Sequence, residues 1–308
     1  MDWTAAPPVS DRRPSRIFAV GDLHGNYEGF RTILRACELI DGDHWIGGDS
    51  QLVQLGDVFG RGGEPGRILS LIKNLESEAP AQGGNVHMLL GNHEILALRG
   101  TVFYNTREEF ADFSRPESLE AFGDPGPDLG AEDIHPGLRR RMLDLGCWDF
   151  CRALLPIRPV GRWLLDRPTV LILGDTLFVH GGLDAASGFL DVDEINAGVR
   201  AEIFPRSDWT PVLSFLTPTG PQWNREYVLH PGPERARELE QVLEHHHCRR
   251  MVVGHTPTRH LGAAREGKVT ELYGGKMVCA DTGIGRLYGG HLSALRIEDG
   301  AAEPVYPA

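Results

Sequence analysis

The chain lacks the features of a membrane-bound or secreted protein. No run of about 18 apolar residues, the length of a membrane-spanning helix, occurs in its 308 residues. The first 15 residues are polar and contain proline, unlike the apolar segment of a secretion signal. The five cysteines are odd in number and form no Cys-x-x-Cys pair, which argues against a disulfide framework. We therefore predict a cytoplasmic protein without a membrane partner.

Positive charge is also scarce. The chain has 31 Lys and Arg against 43 Asp and Glu, so its formal net charge is −12. The phosphate backbone of a nucleic acid is usually held by clustered Lys and Arg, and no such cluster is evident. The composition therefore predicts that nucleic acid is not a partner.

A carboxylate and an imidazole follow the first apolar run. Residues 17–20 (Ile-Phe-Ala-Val) predict a buried strand, and Asp22 and His24 come directly after it, next to glycines. In open α/β sheets, ligands bind beyond the carboxyl ends of the strands. Residues two apart in an extended chain point to the same side, so this pair could reach one cation. Taken alone, such a pair is more often ordinary turn chemistry.

The same pattern returns at two equal intervals. An apolar strand precedes Gly56-Asp57, and another precedes Gly91-Asn92-His93-Glu94. Asp57 lies 35 residues after Asp22 and 35 residues before Asn92. One strand with its crossover helix needs about 30 residues or more. Three successive strands are therefore predicted to bring oxygen or nitrogen ligands to one edge of a sheet.

The second half of the chain repeats the arrangement of a strand followed by histidine. Two strand patterns joined at Gly174-Asp175 lead into His180, and the apolar run 251–253 leads into Gly254-His255. Both histidines lie between a strand and small residues, as His24 does. We therefore predict that they extend the same group of ligands.

Two arginines occupy positions that suit an anion. Arg61 lies among glycines shortly after Asp57, where bare backbone and a long cation can both approach an anion. Arg225 follows Trp223 in an irregular segment. Each could equally be a surface arginine, the second of them stacked on the neighbouring ring.

Residues 95–165 interrupt the alternation of strands and helices. Segments 106–122 and 137–155 have helical patterns, separated by a stretch rich in Pro, Gly and Asp. We predict a helical insertion that forms a cap or lid beside the ligands; a purely structural helical subdomain is equally open. The length allows about two domains or one large α/β domain. We predict one domain over 16–308 that contains this insertion, with a tail over 1–15.

The last part of the chain again has strand patterns. Residues 276–279, 291–297 and 303–306 are predicted to be strands of a second sheet, the last two joined at Asp299-Gly300. Together with the strands of the first half, they predict an α/β fold of two facing mixed sheets flanked by helices.

Five motifs occur in a fixed order along this fold. They are Gly-Asp-Leu-His-Gly (21–25), Gly-Asp-Val-Phe-Gly-Arg-Gly (56–62), Gly-Asn-His-Glu (91–94), His-Gly-Gly (180–182) and Gly-His-Thr-Pro (254–257). Together they resemble the motifs of the calcineurin-like metallophosphoesterases. More narrowly, the sequence resembles the phosphoprotein phosphatase family, and most of all its Shewanella-like branch. The resemblance covers about residues 17–295, nearly the whole chain.

The resemblance implies two metal ions, one bridging carboxylate and a shared water that acts as hydroxide on phosphorus. The implied ligands are Asp22 and His24 for the first ion, Asn92, His180 and His255 for the second, and Asp57 for both. Nitrogen and oxygen ligands suit divalent or transition metals, with manganese favoured and iron or zinc as alternatives. The implied enzyme is a hydrolase, a metal-dependent protein phosphatase with a phosphoprotein or phosphopeptide as substrate.

The resemblance also implies roles in binding and catalysis. Arg61, Arg225 and Asn92 would bind the phosphate, and His93 would protonate the leaving oxygen. The family usually has an aspartate at the position of Gly60, and that aspartate supports the acid histidine. A carboxylate partner raises the pKa of a histidine and fixes its tautomer, so its absence leaves both properties of His93 open.

Two other functions remain open on the sequence. Diadenosine tetraphosphate hydrolases also lack the aspartate at the position of Gly60, so hydrolysis of a dinucleotide polyphosphate is one alternative. A metal-binding scaffold that has lost its chemistry is the other, although all six implied ligands and both arginines are present.

Overall fold

The computed structural model describes residues 15–123, 140, 142–204 and 214–307. The predicted tail over 1–15 lies outside this part of the chain except for Ser15, as do the first residues of the helical segment predicted over 137–155.

The first sheet contains the strands that precede Asp22, Asp57 and Asn92. Its five strands are β1 (Arg16–Val20), β4 (Gln51–Gln54), β5 (Asn85–Met88), β11 (Ala294–Glu298) and β12 (Ala301–Val305). Their spatial order is β12-β11-β1-β4-β5. β1 and β5 both pair in parallel with β4, so the three strands end at one edge. This is the arrangement that the equal 35-residue spacing predicts.

The second sheet contains the strands that precede His180 and His255. Its members are β6 (Val170–Leu173), β7 (Thr176–Val179), β8 (Arg250–Val253), β9 (Thr270–Leu272) and β10 (Met277–Cys279), in the order β6-β7-β8-β10-β9. β7 and β8 run parallel, so both histidines follow strand ends on the same edge. A two-stranded hairpin, β2 (Ile40–Asp41) and β3 (His44–Trp45), lies apart from both sheets.

The predicted fold class, two mixed sheets with helices, is confirmed, but the predicted membership of the second sheet is partly wrong. Residues 291–297 and 303–306 contribute to β11 and β12, which belong to the first sheet. β11 pairs antiparallel with β1, with Arg16 opposite Glu298. The reason is that β1 has a free edge on the side away from β4, and the final hairpin fills it. Of the three predicted segments, only 276–279 joins the second sheet.

The two sheets face each other across an apolar layer. Side chains alternate between the two faces of a strand, so Ile17 and Ala19 of β1 point to this layer while Phe18 and Val20 pack on the other side. From the second sheet, Phe178 enters the same layer. The packing of two inner faces fixes the relative position of the two sets of strand ends.

The helices cover the outer faces. They are α1 (Tyr27–Ala36), α2 (Pro65–Glu78), α3 (Asn92–Leu98), α4 (Arg107–Phe113), α5 (Trp148–Ala153), α6 (Pro159–Leu165), α7 (Val192–Ile203), α8 (Glu226–Leu229) and α9 (Pro233–His245). None of the described helices is both long and apolar enough to cross a bilayer.

The described part of 95–165 is helical and packs beside the loop after β4. One contact with that loop is a group of aromatic rings centred on Phe150, whose ring centroid lies 5.8 Å from that of Phe59 and 4.8 Å from that of Phe113. Phe59 lies two residues after Asp57, so the helical segment is held close to the predicted ligands.

The first prediction concerns His87 on β5, whose Nε2 lies 3.0 Å from Gln51 Oε1. Burial, together with the charge of Arg167, lowers the pKa of His87 to about 4. An unfolded histidine titrates near 6.5, so the unfolded state takes up a proton that the folded state excludes as the pH falls through this window. Stability is therefore lost below about pH 6.5. Denaturant unfolding of wild type and His87→Gln at about pH 7.5 and about pH 4.5 should show a loss smaller by roughly 2 kcal/mol in the variant. The same loss in both proteins would contradict the assignment.

Candidate active site and metal centre

The end of β1 presents Asp22 and His24 in buried positions, with 2% and 4% of their surface exposed. Nδ1 of His24 lies 2.9 Å from the carbonyl oxygen of Phe59 and must donate to it. The proton is therefore on Nδ1. Nε2, free to accept a metal, lies 3.9 Å from the nearest carboxylate oxygens of Asp22 and Asp57.

Asp57 lies at the centre of the site. It belongs to two groups of potential ligands, one with His24 and His93 and one with His180 and His255. Within each group, the ligand atoms all lie within 4.8 Å of one another. Asp57 is thus the residue that the two groups share, as a carboxylate bridging two ions would be.

The second sheet supplies the other imidazoles. Nδ1 of the fully buried His180 lies 2.7 Å from the carbonyl oxygen of Leu55, and its Nε2 lies 3.1 Å from Asn92 Oδ1 and 3.3 Å from Asp57 Oδ1. The backbone N–H of His255 donates to Asp22 Oδ1 over 3.0 Å. All six predicted ligands are therefore brought together, from five different strand ends.

The group fits metal ions. Asp281 Oδ2 is buried and has no hydrogen-bond partner. A carboxylate oxygen left in this way costs free energy unless a cation or a donor reaches it. Arg225 Nε donates to Nε2 of His255 over 3.0 Å, so the second arginine lies directly beside one of the ligands. The donors are carboxylate, amide and imidazole groups, which suit manganese, iron or zinc.

Electrostatic coupling within the site is strong. Burial alone would lower the pKa of His180, but the carboxylates of Asp57 and Asp22 raise it to about 10. Burial alone would raise the pKa of Asp57, but the positive charges of His180 and His93 hold this pKa well below its usual range. In the metal-free protein, a proton on His180 thus supplies positive charge that bound ions would supply. Metal binding should release that proton.

Two further carboxylates complete the site, and sequence reasoning did not assign them. Glu94 accepts hydrogen bonds of 2.8 Å from the backbone N–H groups of Asp57, Val58 and Gly91, and burial raises its pKa to about 7. Asp281 is 1% exposed, and burial raises its pKa to about 6. Asp281 follows the apolar strand β10 as Asp22 follows β1, so the same pattern of strand and acid could have identified it.

The ligands open into a cavity of about 890 Å³. Both predicted arginines, Arg61 and Arg225, line it, as do His93 and Asn92. Apolar and aromatic side chains line it too; among them are Leu96, Tyr104, Leu216 and Trp223. The cavity therefore combines these side chains with the ligands and the two arginines, which we call its floor.

The departure at Gly60 affects His93 directly. A Cβ atom added to Gly60 would lie 2.2 Å from Nδ1 of His93, and Gly60 has a φ of +75°, which disfavours any other residue. Asp57 Oδ2 lies 3.9 Å from Nε2 of His93. Burial nevertheless lowers the pKa of His93 to about 4.

Comparison with known proteins defines the class. Residues 15–259 match the family model for calcineurin-like phosphoesterases, and the chain belongs to that family. The predicted resemblance to these enzymes is confirmed.

Curated relatives narrow the resemblance. Shewanella-like protein phosphatase 2 of Arabidopsis thaliana is 34% identical over 204 residues, which cover 62% of this chain and 52% of the relative. Shewanella-like protein phosphatase 1 of Plasmodium berghei (strain Anka) is 28% identical over 262 residues, which cover 80% of this chain and 63% of the relative. The matched region is thus less than two thirds of either relative.

Solved structures agree with the fold. The cold-active protein-tyrosine phosphatase of a psychrophilic Shewanella species has a TM-score of 0.71 at 25% identity, covering 95% of this chain and 78% of that chain. A protein serine/threonine phosphatase from Saccharomyces cerevisiae has a TM-score of 0.56 at 14% identity, covering 97% of this chain and 82% of that chain. The second likeness shows the fold alone.

Metal binding and anion binding are separable by two substitutions. Asp57→Asn should unseat both ions because it weakens the ligand that both groups share. Arg225→Ala should retain near-normal metal while weakening inorganic phosphate binding by about 10-fold or more, since it removes a charge-assisted contact. Elemental analysis after manganese loading and gel filtration measures the first effect, and competitive inhibition measures the second. Equal metal loss in both variants would contradict the assignment.

Proposed function

We propose that the protein is a dinuclear-metal phosphomonoesterase that removes phosphate from phosphoproteins. The observation that carries the proposal is the position of Asp57, shared by two ligand groups at the floor of a cavity that Arg61 and Arg225 also line. The phosphatase names of the curated relatives and of similar solved structures support the substrate class.

Each residue near the floor has a role in this proposal. When bound, the two ions would activate a shared water as the nucleophile. Their ligands are those named above: Asp22 and His24 for one, Asn92, His180 and His255 for the other, and Asp57 for both. We propose manganese as the favoured metal, with iron or zinc as alternatives.

Phosphate recognition falls to the two arginines and Asn92. A phosphate monoester dianion carries two negative charges, and two guanidinium groups at the cavity floor can offset both with hydrogen bonds to its oxygens. In the transition state the negative charge is spread over the three equatorial oxygens, which these groups contact, so the contacts assist the reaction as well as binding.

We place phosphotyrosine first among the substrates. The apolar and aromatic side chains that line the cavity, among them Leu96, Tyr104 and Trp223, suit an aromatic leaving group better than the short polar side chain of phosphoserine. The similar Shewanella structure is named as a protein-tyrosine phosphatase, which supports the same order.

The remaining proposals concern organisation and location. We propose one catalytic domain over 16–308 with the helical insertion 95–165 inside it. The five cysteines are free thiols, as expected of a protein from a reducing compartment such as the cytoplasm.

A single comparison of substrates tests the proposed function. Manganese-loaded protein should release phosphate from phosphotyrosine peptides faster than from matched phosphoserine and phosphothreonine peptides, and should leave diadenosine tetraphosphate intact. Cleavage of the dinucleotide alone would overturn the proposal in favour of a dinucleotide polyphosphate hydrolase. Stoichiometric metal binding with no turnover of any substrate would make the protein a scaffold.

We propose that His93 protonates the leaving oxygen, which predicts that the effect of replacing it depends on the leaving group. His93→Asn should lower kcat about 100-fold or more for phosphoserine peptides, whose alkoxide needs a proton to leave. The loss should be much smaller for p-nitrophenyl phosphate, since nitrophenolate leaves without one. Steady-state kinetics on both substrates provide the test, with Arg225→Ala as a control whose losses should not follow the leaving group. An equal loss of kcat on both substrates in His93→Asn would contradict the role of His93 as the acid.

A further inference from the structure

The loop that carries Arg61 is held by the helical insertion through its backbone. The N–H of Gly60 donates to Glu109 Oε1 over 2.6 Å, and the N–H of Arg61 donates to the carbonyl oxygen of Tyr104 over 3.0 Å. The hydroxyl of Thr106 donates to the carbonyl oxygen of Gly62 over 2.9 Å. Three consecutive residues of the loop are therefore bound to a short segment of the insertion.

The side chain of Arg61 is held by the same segment. Its guanidinium carbon lies 4.5 Å from the ring centroid of Tyr104, within the range of a cation–π contact. Among the described residues, Arg61 forms no ion pair, and its Nε is buried without a hydrogen bond. The tyrosine ring is thus the principal support of a guanidinium that lines the cavity.

The conformation of Arg61 requires such support. Its φ is +72°, a left-handed value that costs a non-glycine residue about 1 kcal/mol. The Tyr104 ring also lies 5.3 Å from the ring of His93, so the insertion contacts both residues beside the phosphate site. Glu109 is fully buried, and it caps α4 by accepting from the N–H of Thr106 over 2.8 Å.

From these contacts we infer that Tyr104, Thr106 and Glu109 form a clamp that positions Arg61 for phosphate. Tyr104 holds the guanidinium, and Glu109 and Thr106 hold the strained backbone on either side of it. The insertion is then part of the anion-binding machinery and more than a cover over it. This inference rests on the proposed function, because it assigns Arg61 to phosphate.

The first test uses inorganic phosphate and a substitution cycle. In manganese-loaded protein, Tyr104→Leu, which keeps apolar bulk and loses the ring, should weaken phosphate binding about 3- to 30-fold by calorimetry. Tyr104→Phe should bind as wild type does. In an Arg61→Ala background, Tyr104→Leu should have no further effect, because its action passes through Arg61.

The neighbouring ring provides a matched control. Phe103 is 84% exposed and its ring contacts that of Tyr104 at 5.2 Å, so Phe103→Leu should change phosphate binding little. If Tyr104→Leu weakened phosphate binding equally with and without Arg61, the inference would be overturned. It would also be overturned if Arg61→Ala alone left phosphate binding unchanged. Phosphate binding without turnover of any phosphopeptide would instead count against the proposed function alone.

A second test needs neither metal nor activity. Glu109→Gln replaces the carboxyl acceptor of the Gly60 amide by a weaker amide acceptor, so hydrogen exchange at Gly60 and Arg61 should become faster in the metal-free protein. Asp112→Asn is the matched control, since Asp112 is also buried on α4 but accepts from the N–H of Gly66. Asp112→Asn should leave exchange at Gly60 and Arg61 unchanged. Equal acceleration by both variants would show a general loosening of α4 and would contradict the clamp.

Discussion

The concentration of buried negative charge at one point is the constraint on which the rest of this structure depends. Asp22, Asp57, Asp281 and Glu94 are each no more than 2% exposed. An ionised carboxylate removed from water costs several kcal/mol unless hydrogen bonds or cations compensate it. The metal-free protein compensates partly by raising the pKa values of Asp281 and Glu94 and by holding a proton on His180. Bound cations would favour the charged forms of all four carboxylates, so the concentration of these groups attracts cations to this point.

The architecture brings this charge together by joining strand ends from two sheets, which requires the loops to approach one another closely. Gly56 shows how close they are: its φ is +96°, and a Cβ there would lie 2.4 Å from the backbone nitrogen of Gly91. Gly21 meets the end of β10 in the same way, with a Cβ position 2.5 Å from the carbonyl oxygen of Ala280. Glycine is therefore required at these two positions next to the ligands because a side chain would clash there, and not only because the chain turns. A methyl group at either position would separate the strand ends whose proximity builds the site.

The parts of this site that could be predicted from the sequence are those with a local signal. Asp22, Asp57 and Asn92 each follow an apolar strand at equal spacing, and parallel pairing is enough to bring them to one edge. The sheet that β11 joins could not be predicted, because a strand pattern specifies a strand and not its partner. The contact that supports Arg61 through Tyr104 could not be predicted from the sequence either. This contact joins a glycine-rich loop and a helical insertion, and the sequence pattern of neither segment indicates that it contacts the other.

The loop after β4 connects the charge of the site to its geometry. Asp57 and Arg61 both adopt left-handed φ values, +55° and +72°, that non-glycine residues rarely hold without external support. That support comes from two carboxylates: Glu94 accepts from the N–H groups of residues 57–59, and Glu109 accepts from that of Gly60. A carboxylate is suited to this task because its two oxygens can accept several hydrogen bonds and it has no proton of its own that needs an acceptor. Glu94 thus fixes the strained loop that presents Asp57, and a bound cation would favour the charged form of Glu94. The same carboxylate therefore supports the backbone that orients Asp57 and contributes to the attraction of the site for cations.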